Sequence, residues 1–274
     1  MSLKDILLHV DDNEGLVACL NVAVGLASTY SARLTALHIT EPHVIPGYVL
    51  PEIPPEVIEA RRRANLEETE RCAAAFRAAV AREGINAEWH ALTGPTATIL
   101  SSYARYTDLV VLGGPSPGEP YNAGTAFPAQ VMLAGGRPIL LVRPNAAPTV
   151  PGKRVLIAWK EGPEAARAVG DAMPFLERAE QVEVAQVVKP GEAPPGDGEE
   201  LCRYLERHGI SASQVVLERK TGRTTRCLLT HAEATSVDLL VMGGYGSSRL
   251  SELVLGGVTE HMLRHAPMAV LLSH

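Results

Sequence analysis

The residues best suited to hold a ligand are glycines that follow a short apolar segment late in the chain. Gly243, Gly246 and Gly256 are separated by two and nine residues, and Gly257 directly follows the last of them. Glycines let the main chain approach a ligand closely, and successive amides at the start of a helix form a concave site for anions. Because residues 257–264 have a helical pattern, this segment predicts a cradle for phosphate groups.

The apolar segment before these glycines occurs twice in the chain, which indicates an internal duplication. Residues 108–114 read DLVVLGG and residues 238–244 read DLLVMGG, an offset of 130 positions. Upstream, residues 93–96 match residues 221–224 at an offset of 128, and downstream, residues 137–142 match residues 266–271 at an offset of 129. The first strands of the two halves, residues 4–8 and 153–157, match at an offset of 149. Offsets this constant favour duplication over coincidence, with roughly twenty additional residues in the first half.

Each half alternates short apolar segments with segments of helical periodicity. The predicted strands are residues 4–10, 33–39, 88–92, 108–112 and 139–142, then residues 154–159, 181–188, 214–219, 237–242 and 268–272. Continuous apolar strands separated by helices are typical of parallel strands covered on both faces. The sequence therefore predicts an α/β protein of two tandem Rossmann-like domains, residues 1–145 and 152–274, each with five parallel strands flanked by helices. The first domain also contains a proline-rich loop over residues 43–55 and a long helix over residues 56–82 that ends at Gly84.

In such sheets the ligand binds beyond the carboxyl ends of the strands, where the strand order reverses. At this place the spacing of Gly243, Gly246 and Gly256 resembles the ATP-binding loop of the universal stress protein family. The likeness covers both halves, as in tandem members of the family. It implies domains of the adenine nucleotide alpha hydrolase-like type that bind ATP or a related adenine nucleotide, or have lost that ability. It also implies that domains pair through their last strands, here between the two halves or in a homodimer.

The resemblance and the predicted strand ends together give a set of candidate nucleotide-binding residues. These are Trp159, Lys160, Val187, Val188, Gly243, Gly246, Ser247, Ser248, Gly256, Gly257, Val258 and Thr259. The glycines would hold phosphates, and the two valines at the end of the second strand would lie against the base. Trp159 either forms a wall of the pocket or caps its strand.

Two positions depart from the family's pattern. Family binders place Ser or Thr after the last glycine, and Gly257 lacks that hydroxyl, which leaves Ser248 or Thr259 as substitutes. Family binders also carry an acidic residue after the first strand, where this chain has Lys160. A lysine can pair with phosphate or with Glu161, but it cannot accept a hydrogen bond from a ribose hydroxyl.

The first half has the opposite combination of features. Asp11 and Asp12 follow its first strand, but the loop after its fourth strand lacks the glycine spacing. Pro115, Pro117 and Pro120 in that loop remove amide donors that a phosphate would need. Neither half is therefore a complete site, and the second half is the better candidate.

Composition and pattern argue against other partners and locations. The net charge of −6 and the aromatic content of 4% disfavour nucleic acid as a partner. No apolar segment approaches the roughly 20 residues that cross a membrane, and the first residues lack the pattern of a secretory leader. The 4 cysteines form no CxxC pair, as expected for thiols in a reducing compartment. We expect a soluble, cytoplasmic protein without a membrane partner.

Two other chemistries were weighed. Ser116 lies in a G-x-S-x-G pattern, but Pro117 cannot supply the amide that an oxyanion hole requires. His261 and His265 lie four residues apart on one predicted helix and could bind a metal, yet no third ligand is near, so a solvated helix face is favoured. No metal is predicted apart from magnesium carried by a nucleotide.

The sequence thus leads to two functional hypotheses. The first is a tandem universal stress protein that responds to an adenine nucleotide bound in its second half, without catalytic residues and with at most weak ATP hydrolysis. The second is a degenerate scaffold of the same fold that acts through protein–protein interaction without nucleotide. An adenylyl transferase would need a clear acid–base pair or an H-x-G-H element, which the sequence lacks.

Overall fold

A computed structural model describes residues 2–42, 54–114, 126–144, 149–219, 223–244 and 257–274. The helices and strands of the first half are β1 Asp5–Val10, α1 Leu16–Tyr30, β2 Arg33–Thr40, α2 Pro55–Glu83, β3 Ala87–Thr93, α3 Thr96–Ala104, β4 Leu109–Gly113, α4 Ala126–Gly135 and β5 Ile139–Val142. Those of the second half are β6 Arg154–Ala158, α5 Pro163–Leu176, β7 Gln181–Val188, α6 Asp197–Arg207, β8 Ala212–Glu218, α7 Thr224–Ala234, β9 Leu239–Gly243, α8 Gly257–His265 and β10 Ala269–Ser273.

All strands belong to one sheet, which joins the two halves. Its order is β3-β2-β1-β4-β5-β10-β9-β6-β7-β8, so each half has the same order of five strands, and within each half all neighbours are parallel. The halves meet through their last strands, where β5 and β10 run antiparallel and Leu141 lies opposite Val270. The predicted fold class is confirmed.

The core occupies both faces of this sheet. Alternate strand residues point to opposite faces, so Leu8 packs towards α1 and α2 while Leu7 packs towards α3 and α4. We call the face covered by α1, α2, α5 and α6 the front face, and the face covered by α3, α4, α7 and α8 the back face. Burial on both faces explains why the strands are apolar without alternation.

The repeated aspartates have the same structural role in both halves. The Asp108 carboxylate accepts hydrogen bonds from the amides of Lys4 and Asp5, at 2.7 and 3.0 Å. The Asp238 carboxylate accepts from the amides of residues 152, 153 and 154, at 3.1, 3.0 and 3.0 Å. Each aspartate thus ties the start of the fourth strand of its half to the start of the first.

Two predicted boundaries can be compared with the structure. Gly84 ends α2 with a φ of 63°, and its amide donates to Val80 O, as predicted for a glycine after a helix. The helix begins at Pro55, one residue inside the segment predicted as a loop, because proline is favourable in the first turn of a helix. The rest of the predicted proline-rich loop, residues 43–53, lies outside the described residues.

Candidate nucleotide site of the second half

The carboxyl ends of β6 and β9 form the point where the strand order of the second half reverses. The two strands are neighbours, with Ala158 opposite Met242. The chain leaves β6 through Trp159 and Lys160 towards α5 and leaves β9 through Gly244 towards α8. The segments predicted to bind nucleotide therefore do leave from one edge of the sheet. Of the candidate residues, Gly246, Ser247, Ser248 and Gly256 lie outside the described residues.

Gly243 has a packing role at this edge. A Cβ atom at Gly243 would lie 2.7 Å from the amide nitrogen of Ala165 and 2.7 Å from the carbonyl carbon of Glu164. The first turn of α5 thus passes directly over the end of β9, which only a glycine permits. This contact alone accounts for a glycine at the position, whether or not a ligand also binds there.

Gly244 and Thr259 are also in contact with the protein interior. The amide of Gly244 donates to Ser273 O at 2.8 Å, and its carbonyl accepts from His274 Nδ1 at 3.0 Å. A Cβ atom at Gly244 would lie 3.6 Å from the methyl group of Thr259, which is only 7% exposed. The candidate hydroxyl of Thr259 therefore belongs to a buried side chain that packs beside β9.

The first turn of α8 is open, in contrast. Gly257 begins the helix and is exposed, and no atom of the described residues would lie within 4 Å of an added Cβ. Val258 is 39% exposed. Because the first amides of a helix have no intrahelical acceptor, this end can donate to an anion.

Lys160 lies two residues after the end of β6, and its side chain is exposed. Within the described part of the chain, no carboxylate lies within ion-pair distance of Lys160, Glu161 included. Glu161, one of the two partners predicted for Lys160, therefore forms no ion pair with it.

Trp159 is held by a hydrogen-bonded network on the front face. Its indole Nε1 donates to Asp197 Oδ2 at 2.7 Å, and Gln186 Nε2 donates to Asp197 Oδ1 at 3.0 Å. Gln214 Nε2 in turn donates to Gln186 Oε1 at 2.6 Å. Gly198 makes this approach of α6 possible, because an added Cβ would collide with the Gln186 amide.

Sequence reasoning missed this network. Its one signal was the buried Gln186, a polar residue within the apolar segment of β7. Its partner Asp197 begins a helix that lies elsewhere in the sequence.

The two candidate valines lie at the end of β7, and Val187 faces the side of the sheet opposite to Trp159. Val187 packs with the back-face core, which includes Met242 and Met262, whereas Trp159 packs with the front-face core. Val188 is 7% exposed. A base held against Val187 on the back face would thus not touch the indole ring, so the geometry favours the interpretation that Trp159 caps its strand.

The corresponding edge of the first half holds acidic residues and a half-buried histidine. Asp12 forms a 2.7 Å ion pair with Arg71 of α2, and Asp11 accepts a hydrogen bond from Asn13 at 3.2 Å. His9 lies beside Phe127, with 5.5 Å between ring centroids. Burial lowers the pKa of His9 to about 4, against the opposing effect of the Asp11 carboxylate.

The histidine pair of α8 does not extend to a metal site within the described residues. The rings of His261 and His265 are 4.4 Å apart. Partial burial, together with the neighbouring His265, lowers the pKa of His261. No group of three side chains suited to hold a metal is found in the described ranges, and no helix within them is both long and apolar enough to cross a membrane.

Comparisons with known proteins agree with this architecture. Residues 152–274 match the model of the universal stress protein family. A curated universal stress protein of Synechocystis sp. is 32% identical over 69 residues, which are 25% of this chain and 23% of that relative. The chain thus matches less than a quarter of the relative's length.

Two solved structures match the fold along nearly the whole chain. A universal stress protein from Archaeoglobus fulgidus superposes with a TM-score of 0.74 at 16% identity, over 98% of this chain and 97% of its own. A functionally unknown protein from Pseudomonas aeruginosa superposes with a TM-score of 0.60 at 14% identity, over 99% and 92%. Residues 152–274 therefore match the universal stress protein family, which confirms the resemblance predicted from the glycine spacing.

Proposed function

We propose that the chain is a tandem universal stress protein, with domains over residues 1–145 and 152–274, whose second domain binds ATP or a related adenine nucleotide. The observation that carries the proposal is the exposed start of α8 at Gly257, which follows the same edge of the sheet as Lys160, a lysine without an ion-pair partner among the described residues. In this arrangement the first amides of α8 and the ammonium group of Lys160 bind phosphates, and the back face near Val187 receives the base. We assign no catalytic residue, so the bound nucleotide acts as a signal.

Calorimetric titration with ATP, ADP and AMP tests this function. We expect Lys160→Met to weaken ATP binding by roughly tenfold, the effect of losing one charge-assisted contact of about 1.4 kcal/mol. Lys153→Met is the matched control, because Lys153 is an exposed lysine at the opposite end of β6, 3.5 Å from Glu180. Wild-type protein that binds none of the three nucleotides at millimolar concentration would refute the proposal.

A second candidate function is a scaffold of the same fold that binds a protein partner without nucleotide. The packing of Gly243 against α5 and the burial of Thr259 favour it, because both residues have structural roles that need no ligand. Mass spectrometry of small molecules released from the purified protein separates the two functions. A nucleotide retained through purification is incompatible with the scaffold.

A further inference from the structure

An open cleft lies on the back face of the first half, between the amino ends of β2 and β3 and the end of α3. Its volume is about 340 Å³, within the range of small-molecule sites. Its lining residues are Arg33, Thr35, Glu88, His90, Ser102, Tyr103, Tyr106 and Thr107. The candidate nucleotide site lies at the carboxyl ends of the strands of the other half, so the cleft is a separate feature of the molecule.

The corresponding space in the second half is closed by a pair of side chains. Glu183 is the third residue of β7, as Thr35 is of β2, and His231 is the eighth residue of α7, as Tyr103 is of α3. His231 Nε2 and Glu183 Oε2 lie 2.6 Å apart, and both side chains are largely buried. The gap that remains beside Glu183 is too small for a water molecule. The cleft therefore belongs to the first half and is not a general consequence of the fold.

Three aromatic rings line the cleft. The ring centroids of His90 and Tyr103 are 6.0 Å apart. Tyr106 is 82% exposed, the highest value among the large apolar side chains of the described residues. Its ring thus contributes little to the core and is available to a ligand. The faces of tyrosine rings carry partial negative charge, which attracts cations.

The ion pairs beside these rings leave negative charge in excess. Arg33 Nε donates to Asp5 Oδ1 at 2.8 Å, and Arg33 Nη1 lies 3.6 Å from Glu88 Oε1. One guanidinium group is thus shared between two carboxylates, which leaves one negative charge uncompensated among the three groups. The Glu88 carboxylate also lies 3.6 Å from His90 Nε2, so it borders the aromatic part of the cleft.

The hydroxyl groups at the end of α3 add acceptors to the cleft. Ser102 Oγ donates to Ile99 O at 2.7 Å, and Thr107 Oγ1 donates to Ala104 O at 3.0 Å. Since each hydroxyl has one proton, both groups can only accept a hydrogen bond from a ligand. A ligand with a positive charge and N–H or O–H donors therefore complements the cleft, whereas an anion does not.

We propose that the cleft binds a small organic cation, an alkylammonium compound free in solution. Tyr103 and Tyr106 supply the aromatic contacts by which proteins recognise substituted ammonium groups, and Glu88 supplies the counter-charge. The proposal does not rest on nucleotide binding by the second half.

Calorimetric titration of the full chain with choline tests the inference, at about pH 8, where an imidazole is ordinarily neutral. The comparison ligand is dimethylbutanol, the neutral carbon analogue of choline. We expect choline to bind roughly tenfold more tightly than this alcohol. Glu88→Gln should remove most of that preference, because it removes the counter-charge. Lys160→Met should bind choline as the wild type does, even where it loses ATP binding.

Two further variants locate the binding. Tyr106→Leu should weaken choline binding roughly fivefold without lowering the midpoint of thermal unfolding, because the ring is exposed. Tyr204→Leu is the matched control, because Tyr204 is also partly exposed and lies beside a histidine, with 4.7 Å between its ring centroid and that of His208. Thr35→Glu combined with Tyr103→His copies the closing pair of the second half into the cleft and should abolish choline binding.

Four results would overturn the inference. The first is a wild type that binds no choline at millimolar concentration. The second is equal affinity for choline and dimethylbutanol, which would make the cleft merely apolar. The third is an equal loss of binding in Tyr106→Leu and Tyr204→Leu. The fourth is sedimentation of the wild type, but not of Tyr106→Leu, with phosphatidylcholine vesicles, which would identify a lipid headgroup as the ligand; we expect no sedimentation of either.

Discussion

Replacing Gly243 by alanine separates a structural from a ligand-binding role at the end of β9. The added Cβ would lie 2.7 Å from two backbone atoms of α5, where ordinary contact begins at 3.4 Å. Backbone atoms cannot rotate away, so the first turn of α5 must move by about 0.7 Å. Ala165 and Ala168 of that helix are buried against the sheet and resist the movement.

Overpacking of this kind costs about 1–3 kcal/mol. For a chain of this size, each kcal/mol lowers the midpoint of thermal unfolding by roughly 2–4 °C. We therefore expect Gly243→Ala to unfold about 2–12 °C below the wild type, measured by differential scanning calorimetry without nucleotide.

Gly257→Ala is the matched control, because an added Cβ there would meet no described atom within 4 Å and the residue lies in a helix. Alanine is favoured over glycine in a helix by about 0.5–1 kcal/mol, so the midpoint should stay or rise. The methyl group would instead crowd the open amide end of α8 and reduce the affinity for ATP. A Gly243→Ala variant as stable as the wild type would refute this account of the glycine.

Three further predictions follow from other contacts. The pKa of His9 in the fold is about 4, below its unfolded value of 6.5, so the fold favours the neutral ring. The free energy of unfolding that His9 contributes is therefore complete above pH 6.5 and is lost as the pH falls towards 4. Urea unfolding should show this loss, at most about 3 kcal/mol, and His9→Phe should remove it; an unchanged pH dependence in the variant would contradict the assignment. Asp197→Asn leaves one acceptor oxygen for two donors, Trp159 Nε1 and Gln186 Nε2, and should lower the free energy of unfolding by about 1–2 kcal/mol. It should also change the fluorescence of Trp159, measured in a Trp89→Phe background, and an identical emission spectrum would argue against the network. Asp238→Ala should cost more stability in urea than Asp108→Ala, because three amides lose an acceptor in the first case and two in the second; equal losses would count against it.

The fold was predictable because its information is local and repeated. Strands buried on both faces are continuously apolar, and the repeated DLVVLGG and DLLVMGG segments fixed the correspondence of the two halves. Gly84 could be assigned to the end of α2 because glycine is the commonest residue in the left-handed position after a helix. Each of these features depends on a residue and its immediate neighbours in sequence.

The edge of the sheet that carries the candidate residues was predictable, but the directions of their side chains were not. The edge of the sheet followed from the strand order, whereas the direction of each side chain depends on how the helices are rotated. Thr259 was predicted to offer a hydroxyl to a ligand, but the rotation of α8 buries it beside Gly244. The partner of Trp159 lies on α6, and the hydrogen bond to Asp197 depends on a helix position that no local pattern encodes.

The joint between the halves gives the first half a role even though its own glycine loop is incomplete. All five residues of β10 are buried, and on one side β10 pairs with β5 of the first half. Without the first half, β10 would be an apolar edge strand with unpaired main-chain groups, which favours pairing with another chain. The first half also holds α8 through the bond from Arg143 to Met262 O, and α8 carries the open amide end at Gly257. The first half therefore covers the sheet edge of the second half and contacts the helix of its candidate site.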